Sequence, residues 1–146
     1  MNSSEQKIEL TKVFEAPISR VWEALVNPIE QKKWYFDFGP TWKLELGHVF
    51  EWEAGDPADK MWLHRGKIIE VVNGRKLVHS WEYPGYTGYS ILTWQLSSQD
   101  PNWTELKLHH LFKIPFDPSV TALQKEEFEK GWDYIVNTSL KEYLEK

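Results

Sequence analysis

From residue 7 the polar and apolar positions alternate. Ile8, Leu10, Lys12 and Phe14 share one parity, and Lys7, Glu9, Thr11, Val13 and Glu15 the other. That period predicts a strand over residues 7–15 with one buried face. Ala16-Pro17 ends it, and Pro17 suits the first turn of a helix. Ile18, Val21, Trp22, Leu25 and Val26 then fall at steps of three and four, an amphipathic helix stopped by Asn27-Pro28. A short second helix is expected over residues 29–33. Strand-like segments follow at residues 42–46, 48–53, 63–72, 75–83, 88–97 and 103–114, divided by turn residues that include Asn73-Gly74, a tight-hairpin signal. From Pro118-Ser119 onward the period changes again. Val120, Leu123, Phe128, Trp132, Ile135, Val136, Leu140, Tyr143 and Leu144 form a helical stripe. An unbroken helix there is roughly 40 Å long. Gly131 is its weak point, at about 1 kcal/mol against Ala, and predicts a bend or a close approach. The expected class is α+β: a curved antiparallel sheet of about seven strands, two short helices after the first strand, and a long C-terminal helix, in one domain over residues 1–146.

Composition narrows the function classes. A net charge of -5 with interspersed Lys and Arg argues against nucleic acid or an anionic membrane as partner. No apolar run approaches a membrane span, and the start MNSSEQKIEL lacks the basic-then-apolar signature of a secretion signal. There is no cysteine, so thiolate chemistry and zinc-thiolate sites are excluded. A cytoplasmic protein is the default expectation. The outlier is nine Trp, each with a large apolar body and an N–H that needs an acceptor when buried. A cavity wall or a binding face uses such residues.

Strand parity names the inner side chains, because a one-residue shift flips the face. In residues 104–112 the charges share a parity, which leaves Leu106, Leu108, His110 and Phe112 inside. Leu77, His79, Trp81 and Tyr83 follow for the next segment, then Leu92, Trp94 and Leu96, and Phe50 and Trp52 with Glu51 and Glu53 outside. Trp132 and Val136 join from the last helix. An aromatic lining with few polar groups is the usual small-molecule site, unless the rings simply fill the space. His79 and His110 are the polar interruptions: ligand-orienting or acid–base groups, or satisfied core histidines. No carboxylate of inner parity stands beside them. His109 and His110 point to opposite faces and cannot chelate one ion, and neither HExxH nor His-x-His occurs, so no metal is expected. Phosphate loops and G-x-S-x-G are also missing, and no cofactor is expected. The acids of the last helix read as a solvated face paired with Lys125, Lys130 and Lys141.

The stretches VFEAPISRVWEALVNPIEQKKWY, GHVFEW, RGKIIEVVNGRKLVHSWEY, TELKLHHLF and KGWDYIVNTSLKEYLE occur in an order that resembles the START-like (SRPBCC) superfamily. The resemblance is to the branch homologous to the activator of the heat-shock chaperone ATPase, over residues 8–145. It implies a helix-grip fold, in which a bent antiparallel sheet grips the C-terminal helix and the space between them is commonly a ligand cavity. Members of this superfamily bind lipids and hydrophobes, aromatise polyketides or bind chaperones. The family's His before the Gly-Trp pair has no counterpart in residues 125–130, so no role is carried over from it. The leading expectation is therefore binding of a small hydrophobic or aromatic molecule. The alternatives are a cyclase, aromatase or hydrolase using His79 or His110, and a chaperone-interacting module using the outer sheet face.

In this fold the stretch KKWYFDFGPTW joins the short helices to the sheet. Trp34, Phe36, Phe38 and Trp42 are then either walls or lid of a cavity mouth, with Asp37 as a polar contact, or a plug that closes the core.

Overall fold

The structure, a computed structural model, describes residues 6–40 and 42–145. Its strands are β1 (Gln6–Phe14), β2 (Val49–Asp56), β3 (Lys60–Val72), β4 (Lys76–Trp81), β5 (Tyr89–Asp100) and β6 (Trp103–Ile114). Two helices, α1 (Ile18–Val26) and α2 (Pro28–Trp34), follow β1. The strands form one antiparallel sheet in the order β1-β6-β5-β4-β3-β2. Register shifts in β3, between Ile68 and Glu70, and in β5 bend the ladders and add to the curvature. The hollow side receives the C-terminal helix, which gives the helix-grip arrangement.

Two expected elements take another form. Residues 42–46 make no strand. Trp42 turns its indole into the core and donates to the Val26 carbonyl (2.8 Å), which ties the chain to the end of α1. The backbone meets β3 only at Gly47 and His48, through Gly47 N to Ile68 O (2.8 Å) and Ile68 N to His48 O (2.9 Å). The sheet of the described residues therefore has six strands, not seven.

The last helix also starts later than Pro118-Ser119. Asp117 accepts from the Ser119 N–H, and the Gln124 side chain donates to the carbonyls of Asp117 and Val120. These bonds hold the chain in turns, including a 3-10 turn at Thr121–Leu123, before α3 (Lys125–Tyr134) begins. A π-helical segment, Ile135–Leu140, then leads into α4 (Lys141–Leu144). The continuous helical run is about 30 Å long.

The buried row on this run explains the π segment. Phe128, Trp132, Val136, Leu140 and Leu144 are all buried, and each lies four residues after the last. In an α-helix a four-residue step overshoots a full turn by about 40°, so the row drifts around the axis. The wider π turns reverse that drift and keep Val136, Leu140 and Leu144 on the sheet side.

Inside the sheet, Gly66 has no room for a side chain. A Cβ there meets the Phe50 ring at 2.6 Å and the Ser80 carbonyl at 2.9 Å. Gly66→Ala is expected to cost about 1–3 kcal/mol by forcing Phe50 off its seat. A urea midpoint equal to that of the unmodified protein would contradict this packing.

Candidate functional site

The aromatic stretch that begins at the end of α2 closes the core at the end of α1. A helix end leaves its last carbonyls without intrahelical donors. Here three side chains supply them: Trp34 Nε1 donates to Ala24 O (2.9 Å), Gln31 Nε2 to Leu25 O (2.8 Å) and Trp42 Nε1 to Val26 O (2.8 Å). Indoles serve where Phe could not, because each brings a donor along with its apolar area. Trp34, Phe38 and Trp42 are buried, with Phe38 stacked on Trp42 (5.1 Å) and edge-on to Phe50 (5.4 Å). Asp37 is exposed, and its carboxylate accepts from the Gly39 N–H (2.9 Å), a turn contact. Phe36 alone of the four aromatic candidates is partly exposed.

The space between sheet and helix is occupied by rings. Phe50, Trp52, His79, Trp81, Tyr83, Trp94, His110, Phe112, Trp132 and Val136 are all buried there. Trp132 lies edge-on to Trp81 (5.5 Å) and Trp94 (5.7 Å), and Trp81 edge-on to Trp52 (5.2 Å). Phe50 stacks on Trp52 (5.3 Å), and His110 on Phe112 (4.5 Å). These offset and edge contacts are the favoured aromatic geometries.

The inner histidines are bound into this packing. Trp132 Nε1 donates to His110 Nδ1 (3.0 Å), so the ring proton sits on Nε2, which donates to Ser90 Oγ (2.8 Å); that hydroxyl donates to the Trp81 carbonyl (2.8 Å). Every member of this chain is satisfied. Burial lowers His110 to about 3, with His79 and His109 adding to the shift. His79 donates from Nδ1 to the Ser80 carbonyl (2.8 Å), and burial lowers it to about 4. His64 stacks on Trp52 (4.9 Å) and donates from Nδ1 to the Trp62 carbonyl (2.8 Å). Burial also lowers His64 to about 4, against the Trp62 and Trp52 carbonyls, which favour the charged ring. Three neutral imidazoles thus stand in the interior, and no Asp or Glu is among its buried side chains. His109 faces outward, as its parity predicts.

An opening beside the last helix reaches the ring cluster. A groove of about 170 Å³ beside α3 is lined by Phe36, Trp81, Ala122, Glu127, Phe128, Gly131, Trp132 and Ile135. Glu127 is the one polar side chain in that lining. Gly131 lines the groove without close packing: a Cβ built there meets nothing within 4 Å. The close approach expected at this glycine is therefore not what it serves. Of the inner residues expected from parity, Trp81 and Trp132 line this groove while staying buried, and Trp52 instead lines a separate hollow with Asp37, Phe38 and Leu63.

Sequence reasoning assigned no site role to Gly131, Phe128, Ile135, Tyr35 or His64. The signal for His64 was available, because Arg65 and Lys67 share one parity and His64, Gly66 and Ile68, all buried, the other.

Comparison with known proteins agrees with this architecture. Residues 15–145 match the family described as Activator of Hsp90 ATPase homolog 1-like protein. A Rhizobium loti protein superposes with a TM-score of 0.81 at 14% identity, covering 96% of this chain and 97% of that one. A Chromobacterium violaceum protein gives 0.77 at 20% identity, over 96% and 97% of the two chains. An HSP90 activator from Plasmodium falciparum gives 0.65 at 18% identity, over 92% and 90%. At these identities the likeness shows a shared fold. No curated protein sequence matches the chain.

The neutral histidines make stability pH-dependent. In the unfolded chain each protonates near 6.5, whereas the fold holds them neutral down to about 4 or 3. Between those values the unfolded state takes up protons that the folded state does not. Stability is therefore full above 6.5 and falls as the pH drops, by about 1.4 kcal/mol per pH unit for each histidine. Urea midpoints are expected to be level above about pH 7 and to fall steeply between about pH 6.5 and 4.5. A level midpoint across that interval would mean that the three rings are not held neutral.

Proposed function

We propose, from the premise that the chain belongs to the family of Activator of Hsp90 ATPase homolog 1-like proteins, that it binds a small, flat apolar molecule in the groove over Trp81 and Trp132. The observation that carries this reading is Gly131. A glycine inside a helix costs about 1 kcal/mol relative to Ala, and here no tight packing explains it. What it does is leave room beside the buried indoles of Trp81 and Trp132 on one side of α3.

The dimensions set the scale of the guest. Drug-sized pockets run to about 300–1,000 Å³, whereas an apolar void of about 150 Å³ suffices for benzene. A groove of about 170 Å³ suits one ring, or one end of a larger molecule whose remainder stays outside. Binding without chemistry is the simpler reading. Both nitrogens of His110 are committed to hydrogen bonds, and the buried lining supplies no carboxylate to work with either histidine. The wider candidate set, Trp34, Phe38, Trp42, Phe50, Trp52, His79, Tyr83, Trp94, Phe112 and Val136, then supports the groove from behind.

A second reading, contact with a chaperone, draws on the family and on the fold likeness to an HSP90 activator. It would use the outer sheet face, where a hollow of about 350 Å³ is bordered by Glu9, Glu70, Lys76, Lys107 and His109. Stimulation of chaperone ATPase, lost on reversing Lys76 and Lys107, would support it.

Indole fluorescence provides the test of the groove. Titration with naphthalene or indane is expected to shift or quench emission. Gly131→Leu should fold with stability equal to or up to about 1 kcal/mol above the unmodified protein, yet fail to bind. No response in the unmodified protein, or an unchanged response in Gly131→Leu, would refute the groove as the site.

A further inference from the structure

Two polar groups beside this groove are buried without a partner. The Trp52 indole N–H and the Tyr35 phenol oxygen are shielded from solvent and find no hydrogen-bond acceptor or donor among the described residues. Trp52 is 3% exposed. By contrast, Trp34, Trp42, Trp81 and Trp132 each donate to a protein acceptor. Buried polar atoms are nearly always satisfied, so each exception needs a reason. A third orphan, Gln31 Oε1, belongs to the α1–α2 junction, where the same amide caps Leu25.

The rings that carry both groups pack against residues that line the groove. The Tyr35 ring lies 4.4 Å from Phe36 and 6.2 Å from Trp132. The Trp52 ring lies 5.9 Å from Phe36 and 5.2 Å from Trp81. Phe36 touches both, lines the groove itself and is partly exposed.

The chemistry of a guest follows from what these groups can do. An indole N–H only donates, and a neutral phenol donates readily. No Lys or Arg is among the buried side chains, so an anionic guest would enter without a counter-charge. We infer that the groove takes a neutral, planar molecule bearing carbonyl oxygen, which displaces the Phe36 ring and accepts the Tyr35 O–H and the Trp52 N–H. The inference rests on the groove reading above and adds the class of ligand. Aromatic ketones and quinones meet both donors; hydrocarbons enter the groove but leave the donors unpaired, and carboxylates bring an uncompensated charge.

Matched ligands measured by calorimetry on the whole chain test it: indanone, indane and indane carboxylate. Indanone is expected to bind about tenfold tighter than indane, the gain of hydrogen bonds to donors that are otherwise unpaired. The carboxylate is expected to bind more weakly than the ketone. Tyr35→Phe removes an unpaired buried hydroxyl, so the variant should be at least as stable, and it should cut the ketone preference at least about threefold. Trp52→Phe should act in the same direction, and Tyr35→Phe alone decides if that variant does not fold. Equal binding of indanone and indane, or tighter binding of the carboxylate, would overturn the inference and leave the groove in place. Binding of neither indane nor indanone would overturn both.

Discussion

The hydrogen-bond chain from Trp132 through His110 and Ser90 to the Trp81 carbonyl is the constraint on which the rest of the interior depends. It joins the C-terminal helix to β6, β5 and the end of β4 in one line. Each donor has one acceptor, so helix rotation, strand register and histidine tautomer must all be right together. In a low-dielectric interior a broken link leaves a costly unpaired group, and this makes the arrangement specific. The same chain commits His110 to a structural task. It also seats Trp132 where its ring meets Trp81 and Trp94 edge-on.

The aromatic stretch after α2 completes the other end of the core by a related device. Trp34 and Trp42 close over the last turn of α1 because their N–H groups satisfy the carbonyls of Ala24 and Val26. Ser139 reinforces this from the helix, donating to the Trp34 carbonyl (2.6 Å). The π segment that carries Ser139 is therefore held against α2 as well as against the sheet. A plug tied at three carbonyls is a poor lid, whereas Phe36, next along the same chain and without a polar anchor, is free of such ties.

How much of this was legible depended on whether charge and hydrophobicity agreed. On β6 the charges of Glu105, Lys107 and Lys113 share a parity, so the inward row from Leu106 to Phe112 could be read directly, and on β4 Lys76 and Ser80 set the outer parity against Leu77 and Trp81. Residues 42–46 misled because alternation says nothing about whether a partner strand exists; a single indole bond to Val26 O decided otherwise. The π segment was written in the strict four-residue spacing from Phe128 to Leu144, which no straight α-helix keeps on one face. Gly131 was visible as a weak helical position, but its meaning depended on what lay opposite it. The unpaired states of Tyr35 and Trp52 are properties of the packed interior, and no local pattern announces them.

A helix-grip interior filled by rings changes how a guest must enter. An open cavity offers space that is already paid for in the fold. Here a guest ring has to replace contacts that exist. Removing one Phe ring from its neighbours forfeits about 1.5–3 kcal/mol of burial and about 0.5–1.5 kcal/mol for each aromatic pair. A flat guest restores nearly all of it, because it presents the same surfaces to Trp81, Trp52 and Tyr35. Apolar contact is then close to an exchange, and it discriminates poorly between one ring and another. The net gain must come from something Phe36 does not supply, and beside its ring that is an acceptor for the unpaired Tyr35 and Trp52 groups.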